Sequence, residues 1–151
     1  MVNYGLVKNH IYDRLLERGN ELFGRNFYAD ETFYTKESFL QWLRKFDVFI
    51  CPVPTQSGMG TIGSCLRYGK KVFLTGYNYD WIVSRGYIAF HIDTIPTHSL
   101  DSFFKPLTEV EKRHNYLRRD EVREETIIRR DLFFDDLIHQ SLSPQIAKSR
   151  F

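Results

Sequence analysis

An α/β fold built on a parallel sheet is what this sequence predicts, and three observations predict it. Short apolar runs alternate with stretches of helical periodicity between Asn9 and Phe90. Glycines stand where the helical stretches should stop. A Gly-rich loop joins one apolar run to the helix behind it. Strands that alternate with helices four or five times imply parallel strands joined by right-handed crossovers.

Each element has its own signal. From Asn9 to Phe23, Ile11, Leu15, Leu16, Leu22 and Phe23 recur at helical spacing, and Gly24 follows as a stop. Phe27-Tyr28-Ala29 reads as a short strand. Thr35 is placed to cap a second helix, with Glu37 in the first turn where the helix dipole favours an acid. That helix carries Phe39, Leu40, Leu43 and Phe46 on one side. The run Asp47-Val48-Phe49-Ile50-Cys51, bounded by Pro52 and Pro54, suits a parallel strand covered on both faces.

Helical spacing returns with Ile62, Cys65 and Leu66 and closes at Gly69. Lys71-Val72-Phe73-Leu74-Thr75 is a second buried strand, Asn78 to Arg85 a short helix ended by Gly86, and Tyr87-Ile88-Ala89-Phe90 a weaker strand. Beyond His98 the character changes. Over half of the residues from Leu107 to Asp136 are charged, with both signs mixed. Apolar positions persist among them from Val110 to Leu137, the pattern of one or two amphipathic helices with salt-bridged outer faces. Ser141 to Phe151 reads as a frayed end. The opening Met1-Val2-Asn3-Tyr4-Gly5 reads as the end of a strand followed by a glycine turn.

Composition narrows the function classes. An apolar fraction of 42% and 16% aromatics exclude a disordered chain. The formal net charge of +2, from 21 basic and 19 acidic residues, gives no basic excess for a nucleic-acid partner. Cys51 and Cys65 have no metal-ligand spacing and no disulfide framework, and read as two small buried hydrophobes in a reducing compartment. No basic-then-apolar leader opens the chain and no apolar run is long enough to span a bilayer, so the expected location is cytoplasmic.

The stretch that carries chemistry is Thr55-Gln56-Ser57-Gly58-Met59-Gly60-Thr61. Ligands of open α/β sheets bind at the carboxyl ends of strands. A helix start there offers free N–H groups and the positive end of a dipole, which suits a phosphate. Gly58 and Gly60 lack Cβ atoms and let a diphosphate approach the backbone, while Ser57 and Thr61 add hydroxyl donors. The plainer alternative is a tight strand-to-helix turn without a ligand. The loop is neither a Walker A sequence nor a GxGxxG fingerprint.

The segment from Tyr4 to Asp93 resembles the C-terminal half of the TDP-N-acetylfucosamine:lipid II N-acetylfucosaminyltransferases, also called 4-alpha-L-fucosyltransferases. The resembling features keep their order: Tyr4-Gly5, Tyr12, Leu22-Phe23-Gly24 with Asn26-Phe27, Phe39 and Leu43, Asp47, Gln56 to Thr61, Gly69 before a strand, then Asn78 and Trp81 after it. The family's loop reads approximately Arg-Gln-Gln-Gly-Ile-Gly-Thr. Gln56, Gly58, Gly60 and Thr61 match it, whereas Thr55 stands in place of the Arg and Ser57 in place of the second Gln. Lys70, Lys71 and Arg67 are the candidates to replace the missing cation.

The resemblance implies a Rossmann-like, GT-B C-terminal-type domain over residues 1–98, with a charged helical extension over 99–151. It implies an inverting glycosyltransferase of which this chain is the donor-binding half. The implied donor is a TDP-sugar, and the implied product an amino-deoxy or fucose-like sugar on a lipid-linked saccharide. The acceptor is expected in an N-terminal domain that this chain lacks, with peripheral association at the inner face of the membrane. The substrate-binding residues it implies are Gln56, Ser57, Gly58, Met59, Gly60, Thr61, Asn78 and Trp81. No cofactor and no metal are expected, and the sequence has no Asp-x-Asp motif. The catalytic base of such enzymes lies on the acceptor side, so none is assigned here.

The alternative from another class is a standalone, non-catalytic α/β module that binds a nucleotide or a protein. Trp81 and Tyr77 either stack on a base or pack a short helix onto the sheet. Asn78 either binds the sugar or caps that helix. His91 beside Asp93 imitates an acid–base pair. His10, His98, His114 and His139 read as surface residues. Arg118-Arg119 and Arg129-Arg130 either face anionic lipid or, flanked as they are by acids, form a solvated helix face.

Overall fold

The computed structural model describes residues 10–142, so the readings of Met1–Gly5 and of 143–151 lie outside the described residues. The chain is mixed α/β, mostly helical, with one small parallel sheet of three strands among the described residues. It divides into two compact units, Met1–Phe39 and Leu40–Phe151.

In the first unit α1 spans His10–Phe23 and ends where Gly24 turns left-handed, with φ of 53°. A single 3-10 turn, Gly24–Asn26, follows. The expected strand at Phe27–Ala29 does not form. Phe27 has extended backbone, but its ring lies where a Cβ on Gly19 would be, 2.3 Å from the nearest ring atom. The segment is held by this ring against bare α1 backbone, and extended backbone without a ladder partner is not a strand. Asp30 then accepts from the Thr32 N–H at 3.0 Å and from the Tyr34 hydroxyl. That tyrosine hydrogen bond holds the Asp30 carboxyl below its ordinary range. Thr35 caps α2, Lys36–Leu43, its hydroxyl accepting the Ser38 N–H at 3.2 Å.

In the second unit the strand order is β1-β2-β3, all parallel: Val48–Cys51, Lys71–Leu74 and Phe90–His91. All four residues of β2 are buried, as its central position demands. β1 is an edge strand, and Ile50 is 43% exposed; the expected cover on both faces belongs to β2 alone. Helix α3, Met59–Arg67, buries Ile62, Cys65 and Leu66. Gly69, with φ of 67°, turns the chain back into β2. Burial pushes the Cys65 thiol up to about 12, while Cys51 is only half-buried. Helix α4 spans Gly76–Ser84, starting two residues earlier than its apolar spacing predicts.

The weak strand expected at Tyr87–Phe90 shrinks to Phe90 and His91. The reason lies on another element. The carboxamide of Asn115 accepts from the Ile88 N–H at 2.8 Å and donates to the Ile88 carbonyl at 3.0 Å. A side chain thus takes the two groups that a neighbouring strand would use. After α5, Leu100–Phe104, the helix α6 runs from Glu109 to Leu142, about 50 Å at 1.5 Å per residue. A reciprocal cap opens it: Thr108 N–H donates to the Glu111 carboxylate at 2.7 Å, and Glu111 N–H to the Thr108 hydroxyl at 3.3 Å. Its first half packs on α3, with Asn115 and Val122 buried. No helix among the described residues is long and apolar enough to cross a membrane.

Candidate functional site

The loop at the carboxyl end of β1 is built from both sides. Gly58 adopts left-handed backbone, φ 66° and ψ 19°, and is the residue from which α3 starts. The N–H groups of a helix's first turn have no intrahelical acceptor, and no side chain caps them here. A Cβ built on Gly58 or on Gly60 meets nothing within 4 Å. The glycines therefore are not there to relieve a crowded turn at that face; the backbone of α3's first turn is approachable. Gln56 and Gly60 are exposed, and Ser57, Met59 and Thr61 half-buried.

From below, α4 holds the loop in shape. Asn78 is fully buried. Its amide nitrogen donates to the Val53 and Ser57 carbonyls at 3.3 and 3.1 Å, and its oxygen accepts the Ser57 N–H at 3.4 Å. Tyr77 N–H donates to the Pro54 carbonyl at 2.8 Å. Gly76 makes this contact possible: its φ is 53°, and a Cβ there would lie 2.4 Å from the Pro54 oxygen. Three loop residues, Val53, Pro54 and Ser57, are thus braced by three consecutive residues of α4.

The structure therefore brings Gln56 to Thr61 and Asn78 together. Asn78 spends its hydrogen bonds on loop backbone, neither capping α4 nor presenting a free amide. Trp81 lies nearly a turn further along α4, and the Arg85 guanidinium covers its ring at 5.2 Å. The three cations suggested as replacements for the missing Arg point elsewhere. Lys70 donates to the Arg44 carbonyl at 2.8 Å, and Arg67 lies over the Tyr116 ring at 5.6 Å from the far end of α3. Lys71 starts β2, at the opposite end of the sheet from the loop, and donates to the Ser102 carbonyl at 2.7 Å with its ammonium over the rings of Phe73 and Phe90. Burial lowers its basicity.

The His91–Asp93 pair is local. The ring's Nδ1 accepts the Asp93 N–H at 3.3 Å and lies 3.4 Å from the carboxylate, capping a 3-10 turn. His98, expected on the surface, is half-buried edge-on to Phe73 and bonded through Nδ1 to the Ser102 hydroxyl at 2.6 Å. His114 is exposed, its Nε2 2.7 Å from the Gly86 carbonyl; the side chains of His10 and His139 lie outside the described residues. Arg118 joins Glu121 and Glu125 at 2.8 and 3.0 Å, and Glu121 above all raises its basicity. Sequence reasoning missed Gly76 and Asn115. Gly76 had a signal, a glycine directly after a strand; Asn115, one polar residue in a charged helix, had none.

Comparison with known protein families, with characterised proteins and with solved structures finds no match to this chain.

Proposed function

We propose that this chain is the donor-binding half of an inverting GT-B glycosyltransferase, a Rossmann-like domain that holds the diphosphate of a TDP-sugar. The observation that carries this reading is the start of α3. Uncapped N–H groups, the positive end of the helix dipole and two unobstructed glycines converge at the carboxyl edge of a parallel sheet. The loop's resemblance to the fucosaminyltransferase loop at Gln56, Gly58, Gly60 and Thr61 supplies the ligand class.

In this reading backbone N–H groups take over the work of the missing Arg, since Lys70, Lys71 and Arg67 are committed elsewhere. The loop stabilises charge developing on the departing TDP as a nucleophile displaces it at the anomeric carbon. The acceptor, a lipid-linked saccharide, is held by a separate N-terminal domain at the inner membrane face. Without that domain the chain binds donor and transfers nothing, because positioning of the acceptor hydroxyl is a large part of the rate enhancement.

Titration calorimetry tests the reading. TDP binds more tightly than thymidine, and Gly60→Asp removes the difference while circular dichroism is unchanged. Equal affinity for nucleoside and diphosphate overturns it. The second reading is a non-catalytic module that binds a nucleotide or a protein; its protein arm is favoured by the exposed large apolar side chains between Ile127 and Ile138 on α6.

A further inference from the structure

The two ends of the sheet differ in charge. Residues 52–61, at the carboxyl end of β1, include no charged side chain. The opposite end gathers cations. β1 and β2 are parallel and Val48 pairs with Lys71, so the turns that enter the two strands lie side by side. Together with the last residue of α3 they carry Arg44, Lys45, Arg67 and Lys70 against a single acid, Asp47. Arg44, Lys45 and Arg67 are exposed, and Lys70 is half-buried.

Contacts hold these charges in place without neutralising them. Arg44 lies over the Tyr68 ring at 4.9 Å, and Lys70 donates to the Arg44 carbonyl at 2.8 Å, which pins one turn to the other. Arg67 lies over the Tyr116 ring of α6 at 5.6 Å. Elsewhere Arg18, Arg85, Lys112, Arg118 and Arg130 each reach a carboxylate. Among the described residues none of the four cations at this end does. The helix dipoles of α2 and α3 end here and account for a cation at each. They account neither for a second one nor for the apolar ring beside them: Phe46 is 40% exposed and stands edge-on to Trp42 at 4.4 Å.

We propose that this end of the sheet is a docking surface for an anionic lipid bilayer. Cations fixed on tyrosine rings and paired with no acid complement a plane of anionic headgroups. Phe46, backed by Trp42, adds an aromatic anchor of the kind that sits at the headgroup boundary. A nucleic acid fits this end less well. Tyr68 and Tyr116, the rings that could stack on bases, each carry a guanidinium over the ring, and the cations form one cluster and no track along a groove. Of the arginine pairs on α6, Arg118 and Arg130 are joined to acids. The four residues of β1 put about 13 Å between this surface and the Gly58 loop. A bilayer here leaves the loop open, and the proposal does not rest on what the loop binds.

Flotation of the full chain with vesicles tests this. The chain floats with phosphatidylcholine–phosphatidylglycerol vesicles and not with phosphatidylcholine alone, and it is released as salt approaches about 1 M, where charges are screened beyond about 3 Å. Each cation near an anionic surface changes the partition about fivefold, so Lys45→Gln with Arg67→Gln lowers it about 25-fold. Phe46→Ser lowers it as well. Arg129→Gln with Arg130→Gln, on α6, leaves it unchanged. Circular dichroism and TDP affinity of each variant stay at the wild-type value; a wild type that floats without binding TDP overturns the donor reading and supports this one. Absence of flotation, flotation indifferent to Lys45 and Arg67, or an equal loss from the α6 pair overturns the proposal. So does displacement from the vesicles by a single-stranded oligonucleotide that the chain binds more tightly, which would make the partner a nucleic acid.

Discussion

Two loops in this molecule are held by the same device, a fully buried asparagine, and come to opposite ends. Asn78 braces the loop after β1 from the helix that follows β2; Asn115 braces the segment before β3 from α6. Around Ile88 the clamp is followed by others: His114 meets the Gly86 carbonyl, Arg118 donates to the Arg85 carbonyl, and Arg118 joins Glu121 and Glu125. Around Ser57 the clamp holds Val53 and Ser57 and stops, leaving the first turn of α3 uncapped. A buried asparagine marks a loop that must keep its shape. Only the backbone groups left over tell whether the shape serves packing or a ligand.

The sharpest way to break that comparison is to remove each clamp. Asn115→Leu keeps the branched shape but strands the Ile88 N–H and carbonyl, and is expected to cost about 3 kcal/mol. Urea denaturation measures it, and TDP affinity of the folded variant stays within about twofold of wild type, a negligible change on the affinity scale. Asn78→Ala is expected to cost about 2 kcal/mol, again from orphaned backbone groups, and also to weaken TDP at least tenfold by calorimetry. If both variants lose TDP equally, the two loops are not distinct.

Gly58→Ala is the next, smaller effect. Its left-handed backbone makes any side chain cost about 1–2 kcal/mol, although a Cβ there meets nothing. A loss larger than that would mean the loop is tighter than its open face indicates. The smallest effect separates the capped helix from the uncapped one. Hydrogen bonds from Thr108 hold the Glu111 carboxyl below its ordinary value of 4.5. A lowered folded value contributes stability that is present above the ordinary one and lost as pH falls through the lowered one. Urea midpoints of wild type and Glu111→Gln should therefore differ at neutral pH and converge in acid. A constant difference across that window would show the carboxylate is not responsible.

Much of the second unit was legible because its signals are local. The apolar runs at Val48–Cys51 and Lys71–Leu74, the spacing of Ile62, Cys65 and Leu66, and the left-handed stops at Gly69 and Gly86 all act within a few residues. Phe27–Ala29 and Tyr87–Ala89 misled for one reason: both look like strands. Whether such a segment joins a sheet depends on partners distant in sequence, Gly19 with its bare Cα and Asn115 with its amide. Of the candidate site, the glycine pattern was visible. The bracing by Gly76 and Asn78 was not, because contact between loops after two different strands is made by the sheet's parallel order.

The contrast between the two thiols has a practical consequence. A nucleophile that ionises only near 12 is silent toward maleimides and iodoacetamides at neutral pH, and Cys65 is buried besides. Cys51 closes β1 with its sulfur 4.0 Å from the Asn78 amide, at the root of the Gly58 loop, and is partly open to solvent. The native chain can therefore be tagged at one position. A fluorine-bearing or fluorescent reporter there would sit beside the bracing of the loop, with no engineered cysteine required.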